Sequence, residues 1–415
     1  MKTLKPAPLR VALLLCGVEI LGLAGLATFA ALLPFFLEAW GLSNVQAGWL
    51  SAVYYGAYVL AVPLLTVLTD RRDARGILLF GLLTGVAAAL GFAWLAEGFW
   101  SALVFRFLAG VSLAGVYMPG LKLLSDHVAG PRQSRYVSFY TASFSVGASL
   151  SYLLAGEVHA ALGWRWAFAA SGLLTLAGVL LAGFGAPPGR VDRNLAAPRF
   201  AAGLAVVLRS RQAMAYILGY AAHMWELFSL RSWMVAFLAF SRQLQPGDAA
   251  GLSPTQVVAL VNLIGLPASI GGNELCRRLG RPKTIVAIML ASALLGFGVG
   301  FAAPLPYGVV VALALFYGVA VLGDSASLTA GAVASAPAGG RGATLAVHST
   351  LGFTAAFLGP LATGLALDLL QGTPTLAWGA AFVVMGLGSA VGPLALALLK
   401  GKGASPEAGK EDPPR

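Results

Sequence analysis

Apolar residues fill this chain in runs of about 20, the length that carries an α-helix across the hydrocarbon of a bilayer; polar residues gather between the runs. Twelve runs are predicted as membrane helices. They lie near 11–38, 46–68, 76–96, 100–124, 136–158 and 165–186, then near 212–240, 255–275, 284–303, 307–331, 342–365 and 376–399. The runs are continuous and lack the period-two alternation of outer-membrane strands, so the expected fold class is all-α rather than a barrel. The longest interruption, Gly189 to Gln212, carries Arg190, Arg193, Arg199, Arg209 and Arg211 against one acid, Asp192. It splits the chain into two blocks of six spans. The expected layout is a short N-terminal segment at 1–10, a six-helix bundle at 11–186, a basic linker at 187–211, a second six-helix bundle at 212–399 and a disordered polar tail at 400–415.

The two blocks echo each other. TDRRDARG follows the second span and CRRLGRPK the eighth. Gly110 and Gly115 in the fourth span match the spacing of Gly318 and Gly323 in the tenth. Trp164 and Phe168 open the sixth span as Trp378 and Phe382 open the twelfth. Such repeats predict a solute site near the midplane, between two bundles that rock against each other.

Composition explains the solvent. Of 415 residues, 58% are hydrophobic and 10% charged, with mean hydropathy +0.82. A soluble chain carries about 25% charged residues. The net charge of +11 could signal a nucleic-acid partner, but the basic residues sit in short loops. Twenty-two of the 27 Lys and Arg fall on one side of the predicted topology, which puts both termini in the cytoplasm by the positive-inside rule. Nucleic acid is therefore not an expected partner; the bilayer is. The first apolar run continues to Trp40, too long for a cleaved signal. Two cysteines, Cys16 and Cys276, give no disulfide framework. Neither a phosphate loop, an HExxH motif nor a metal-spaced Cys/His cluster is present, so neither an enzyme nor a cofactor or metal is expected.

Twelve spans, a basic central loop and these loop motifs resemble the major facilitator superfamily of secondary transporters, over roughly residues 11–399. Asp70 with Arg71, Arg72 and Arg75 matches that family's loop between the second and third spans in part: Thr66 and Asp73 stand where it has glycines. Arg106 in RFLAGVSLAG matches its fourth-span arginine, and GWRWAF at 163–168 looks like its sixth-span start. In the second basic loop Arg278, Gly280 and Arg281 match, while Arg277 replaces an acid. The fifth span lacks the Gly-Pro pair associated with proton-driven exporters. Within the family the chain looks most like the cyanate/nitrate-like small-anion permeases. The resemblance implies the all-α fold of two pseudo-symmetric bundles, and Asp70, Arg71, Arg75, Arg278 and Arg281 as a cytoplasmic gate. The alternative for these charges is simple topology-setting.

A charge in hydrocarbon costs about 2.5–3.5 kcal/mol on insertion scales, so each one inside a span is a candidate. The seventh span holds His223, Glu226 and Arg231. Glu226 reads as a proton acceptor, His223 as its neighbour on the same face, and Arg231 as an anion contact; the alternative is a structural polar network. Arg106 and Arg231, one from each half, form an expected clamp on an anion, because a guanidinium offers forked donors and keeps its charge. Alternatively Arg106 pairs with Glu19. Asp324 and Glu19 are further proton-coupling candidates, against plain polar crossing points. Tyr54, Tyr55, Tyr58, Trp225 and Trp233 are cavity aromatics or packing. His348 reads as structural, and Lys122, Glu157 and Asp368 as side chains reaching toward the interface.

The expectation is a monomeric, multi-pass bacterial-type inner-membrane transporter that moves a small anionic solute with protons by alternating access. Proton-driven drug efflux is the alternative within transport; a non-transporting receptor or scaffold is the alternative outside it.

Overall fold

A computed structural model describes residues 8–128, 133–189, 200–246, 251–338 and 340–399, with the side chains of 70, 134 and 200–203 left out. The first span is three pieces, α1 (Pro8–Gly22), α2 (Thr28–Ala31) and α3 (Leu33–Ala39). Then come α4 (Asn44–Arg71), α5 (Ala74–Leu95), α6 (Phe99–His127), α7 (Gln133–Leu162) and α8 (Trp164–Gly185). A short helix, α9 (Phe200–Arg209), leads into the second half. There α10 (Arg211–Gln243), α11 (Pro254–Leu279) and α12 (Arg281–Phe301) are followed by a span in two pieces, α13 (Tyr307–Gly323) and α14 (Ser325–Ala334). The half ends with α15 (Arg341–Leu369) and α16 (Pro374–Leu398). Among the described residues nine helices are long and apolar enough to cross a membrane on their own composition. The other three spans are the broken first one and the more polar α7 and α10. The expected segment 1–7, most of the linker (190–199, with Arg190, Arg193 and Arg199) and the tail 400–415 lie outside the described residues.

Two breaks were not expected. The first span opens between Gly22 and Thr28, and Ser151 of α7 fills the gap: it donates to Ala24 O at 2.7 Å and accepts from Ala27 N at 2.9 Å. The tenth span breaks at Asp324, where Ser269 of α11 accepts from Ala326 N at 3.3 Å. In hydrocarbon a freed backbone group needs such a partner, and a neighbouring serine supplies it.

The repeat is structural. Both α4 and α11 begin with the same capping box, Ser43 with Gln46 and Ser253 with Gln256. A methyl on Gly110 would lie 2.0 Å from Tyr54 O of α4, and one on Gly318 2.6 Å from Val261 of α11. One on Gly115 would meet Gly81 of α5 at 2.7 Å, and one on Gly323 Ile288 of α12 at 3.3 Å. In both halves, therefore, the first glycine lets the fourth element meet the second, and the next glycine lets it meet the third. Small residues at such crossings give the close approach that membrane helices use in place of a hydrophobic driving force.

The apolar core has three parts. One cluster, with Phe29, Phe36, Tyr54 and Tyr58 from the first half and Phe228, Trp233, Phe237 and Phe382 from the second, spans both halves. A second, around Val11, Leu78 and Leu123, belongs to the first half, and a third, around Val207, Ile217 and Leu328, to the second. The last two lie at the arginine-rich end. Hydrogen bonds across the seam lie toward the opposite end: Ser149 Oγ to Ala259 O at 2.9 Å, Gln256 Nε2 to Glu157 Oε1 at 2.8 Å, and Asp368 to the start of α4. The halves are thus latched at one end and carry separate cores at the other.

Candidate transport site

Arg231 stands at the seam. It is 6% exposed. Its Nε donates to Asn262 Oδ1 of α11 at 2.9 Å, and its guanidinium lies 5.1 Å from the Phe228 ring and 5.8 Å from the Phe144 ring of α7 in the other half. Tyr152 of α7 donates to the Arg231 carbonyl. Asn262 is itself held by Val258 O at 2.9 Å, which fixes its oxygen toward the arginine. No carboxylate pairs with Arg231 among the described residues.

Arg106 is 4% exposed and lies in the first half. Its Nε donates to Leu50 O at 2.9 Å, and its guanidinium stands over Tyr54 at 4.6 Å and Phe29 at 5.4 Å. The expected pairing with Glu19 is absent: Glu19 accepts from Ser143 of α7, and its other oxygen is buried without a hydrogen-bond partner. Tyr55 and Tyr152 lie within electrostatic range of both guanidiniums, so the two arginines flank a shared tyrosine pair. Tyr55 packs edge-on against Phe228 across the seam at 4.4 Å.

The acids of the second half separate into two networks, and the expected His223–Glu226 partnership does not form. Glu226 Oε1 accepts from Ser292 Oγ of α12 at 2.8 Å and Tyr317 Oη of α13 at 2.9 Å, which turns it into the core of its own half. His223 Nδ1 instead meets Asp324 Oδ1 at 2.7 Å, in a close ion-pair contact without hydrogen-bond alignment. The two acids diverge because Glu226 is drawn to hydroxyls of α12 and α13, while His223, on the same helix, faces the break at Asp324. His348, read from sequence as structural, joins the second network: its ring stacks on Tyr220 at 3.7 Å, Tyr220 lies 5.8 Å from His223, and His348 Nε2 meets Thr329 Oγ1 at 3.3 Å.

Of the aromatics, Tyr58 is buried against Phe353 of the other half at 4.1 Å, and its hydroxyl faces Ser349 without an aligned hydrogen bond. Trp225 spends its indole N–H on Val384 O at 3.1 Å, which makes it a packing residue between α10 and α16. Trp233 does the same with Pro360 O at 3.0 Å.

The expected gate is not closed. The Asp70 side chain lies outside the described residues. Arg71 is exposed. Arg75 donates to Gly183 O within its own half. Arg278 pairs with Glu274 of its own helix at 3.0 Å, and Arg281 Nε is buried without a partner. Among the described residues none of these side chains reaches the other half. The latch lies at the other end, where Asp368 accepts from Asn44 N at 2.9 Å, Asn44 Nδ2 at 2.8 Å and Val45 N at 2.8 Å. Sequence reading missed it, because Asp368 near a span end looks like any interfacial acid. The SNVQ capping signal at 43–46 was the available clue to where a helix N-terminus would need an anion. Asp73 was missed likewise: it caps α5 and accepts from Gly189 N at 2.6 Å, tying the end of the sixth span to the start of the third.

A bundle of two like halves with buried charges along the seam defines a multi-pass membrane protein. The family model of the Major Facilitator Superfamily matches residues 15–360, and the chain belongs to that superfamily. It is similar to the protein spinster homolog 1 of Bos taurus, 26% identical over 301 residues, covering 68% of this chain and 57% of the bovine protein. A shorter match, 27% identical over 127 residues, is to the probable sphingolipid transporter spinster homolog 1 of Arabidopsis thaliana, covering 31% of this chain and 26% of that one. The chain thus spans little more than half of the bovine relative. The crystal structure of a bacterial homolog to human lysosomal transporter spinster, inward-facing and unoccupied, has a TM-score of 0.72 at 16% identity, over 95% of this chain and 96% of that one; it shows the fold alone. The relatives named here are spinster proteins, and nothing in them supports the cyanate/nitrate-like branch.

Proposed function

We propose that this chain moves an anionic solute across a bacterial-type inner membrane by alternating access, coupled to protons, with both termini cytoplasmic. The observation that supports this is Arg231: a guanidinium buried at the seam between the halves, positioned by Asn262, with no protein carboxylate to neutralise it. A buried cation is tolerated only with a compensating partner, and a solute anion is the partner that comes and goes. Arg106 borders the same tyrosine pair from the other half. In this reading His223 and Asp324 carry the proton, because a proton on Asp324 removes the charge that draws an imidazolium toward it and so alters the broken tenth span. Glu19, with one unpartnered oxygen, is the corresponding acid of the first half. If the cytoplasm lies at the arginine-rich end, the latched opposite end makes this an inward-facing state.

A second reading makes the solute an amphiphile, such as a single-chain lipid with an anionic head. It is favoured by an apolar groove of about 310 Å³ between α4, α6 and α15, lined by Gly56, Leu60, Phe107 and Phe357. It also agrees with the name of the Arabidopsis relative. Buried arginines disfavour the efflux of a neutral hydrophobic drug.

The test is flux of labelled solutes into proteoliposomes: small carboxylates and inorganic oxyanions in one set, lysophospholipids and sphingoid phosphates in a second, neutral single-chain amphiphiles in a third, each with and without a pH gradient. Uptake of an anion that grows with the gradient supports the reading. Uptake of neutral amphiphiles only, indifferent to the gradient, overturns it.

A further inference from the structure

Behind Tyr54, wholly inside the first half, lies a chamber of about 40 Å³ that the transport reading does not use. Its walls include Gly25 of the first span, Gly85 and Phe92 of α5, Ser112 of α6 and Phe168 of α8, and the guanidinium of Arg106 borders it. Arg106 has one hydrogen-bond acceptor among the described residues, Leu50 O, and that bond uses Nε. Its two Nη groups, with four N–H donors and a full charge, have no hydrogen-bond acceptor among the described residues. Ser112 likewise makes no hydrogen bond among the described residues, and its Oγ crowds the α5 side of the chamber, 2.5 Å from where a methyl on Gly85 would sit. Thr175 is already occupied, donating to Ser171 O at 2.9 Å.

We propose that this chamber is a site for one small inorganic anion of the halide class, held by the Arg106 Nη groups and the Ser112 hydroxyl. Three observations converge on that class. The charge is a buried cation with no carboxylate partner, so the missing charge is negative. The space suits a small ion: a water needs about 10–15 Å³ of such volume, so the chamber takes roughly three waters or one halide. The donors are few and the rest of the wall is apolar, which suits a large, weakly hydrated ion and leaves the oxygens of a polyatomic anion unpaired. The phenyl face of Phe29 and the ring of Tyr54 hold the guanidinium from the other side, at 5.4 and 4.6 Å. Bound there, the anion neutralises Arg106 within its own half and leaves the seam arginine, Arg231, as the charge that a solute must meet.

The site is independent of transport and is tested without it. The purified full-length protein in nanodiscs is melted in gluconate, chloride and bromide buffers of equal ionic strength. Wild type shows a saturable rise in melting temperature with chloride and a larger one with bromide. Arg106→Gln loses the rise. Because that variant also removes a buried charge from the fold, Ser112→Ala and Gly25→Ala serve beside it: the first removes a donor, and the second narrows the chamber where a methyl meets no atom closer than Ser171 Cβ at 3.6 Å. Both weaken halide affinity severalfold. Arg231→Gln, which removes the proposed solute contact, keeps the halide response. A bromide anomalous peak within hydrogen-bond distance of Arg106 Nη locates the ion. Wild-type melting that ignores halide overturns the proposal and leaves a chamber filled by water alone. An equal halide response in Ser112→Ala and Gly25→Ala overturns it too.

Discussion

Asp368 holds Asn44 twice, through the backbone N–H at 2.9 Å and through the side-chain amide at 2.8 Å, while its second oxygen takes Val45 N at 2.8 Å. The acid ends α15 in one half, and Asn44 begins α4 in the other. A carboxylate on a helix N-terminus satisfies orphan N–H groups and complements the helix dipole, so this contact joins the two halves at one end of the seam. Gly364 sits one turn back, and a methyl there would lie 2.4 Å from Asn44 O; the backbones meet directly.

Asp368→Asn is expected to loosen this latch without unfolding either half. Each hydrogen bond to a charged group contributes about 1.5–3 kcal/mol, so losing part of the set shifts the open–closed equilibrium roughly tenfold or more. Thr255 is buried beside Gly156 at the same end. Thiol labelling of Thr255→Cys, in a background with Cys16 and Cys276 replaced by serine, is expected to speed up by that factor when Asp368→Asn is added. Unchanged labelling sinks the latch.

Asp324→Asn is expected to uncouple flux from the pH gradient while leaving solute exchange in place. The substitution keeps the shape beside His223 Nδ1 and removes the charge that draws an imidazolium toward it. Gradient-driven uptake should fall about tenfold or more, in keeping with the 1.4 kcal/mol per decade of a lost charge contact, and counterflow between equal solute pools should stay near wild type. Equal loss of both activities places Asp324 in solute binding or folding instead.

Much of this was legible beforehand. Length and hydropathy placed all twelve spans, because the bilayer fixes helix length and leaves few alternatives. The echo of Gly110 and Gly115 in Gly318 and Gly323 was real, because a glycine at a helix crossing is dictated by backbone distance. The partners of the buried charges were not legible. His223 and Glu226 stand three apart and read as one unit, yet α10 is surrounded on all sides, and neighbours far away in sequence, Asp324 for one and Ser292 with Tyr317 for the other, decide where each points. The breaks at Gly22–Thr28 and at Asp324 were hidden for the same reason: the serines that make them tolerable come from α7 and α11. Arg106 was expected to face a shared space with Arg231; it borders a chamber of its own bundle, and Tyr55 and Tyr152 lie near both guanidiniums.

Tyr317→Phe is expected to act on stability and spare coupling. It removes one of the two hydroxyls that Glu226 accepts from. A single interhelical hydrogen bond in a membrane contributes about 0.6 kcal/mol, and at most about 1.7. The melting temperature should drop by a few degrees at most, with the ratio of gradient-driven to exchange flux unchanged. A changed ratio makes Glu226 a coupling residue after all.

Arg231 is the residue on which the transport reading stands. Arg231→Gln keeps a donor for Asn262 Oδ1 and removes the charge, so the seam should stay folded while the solute anion loses its partner. A hydrogen bond to a charged group contributes about 1.5–3 kcal/mol, so half-saturation for the transported anion should rise roughly tenfold to a hundredfold. Arg231→Lys should recover part of this, since an ammonium keeps the charge and loses the fork. Arg106→Gln should move half-saturation far less, because its guanidinium lies in the chamber and acts on the seam only through Tyr55 and Tyr152. Flux measured against solute concentration for the three variants decides the matter: if Arg231→Gln transports with wild-type half-saturation, the solute does not meet this arginine.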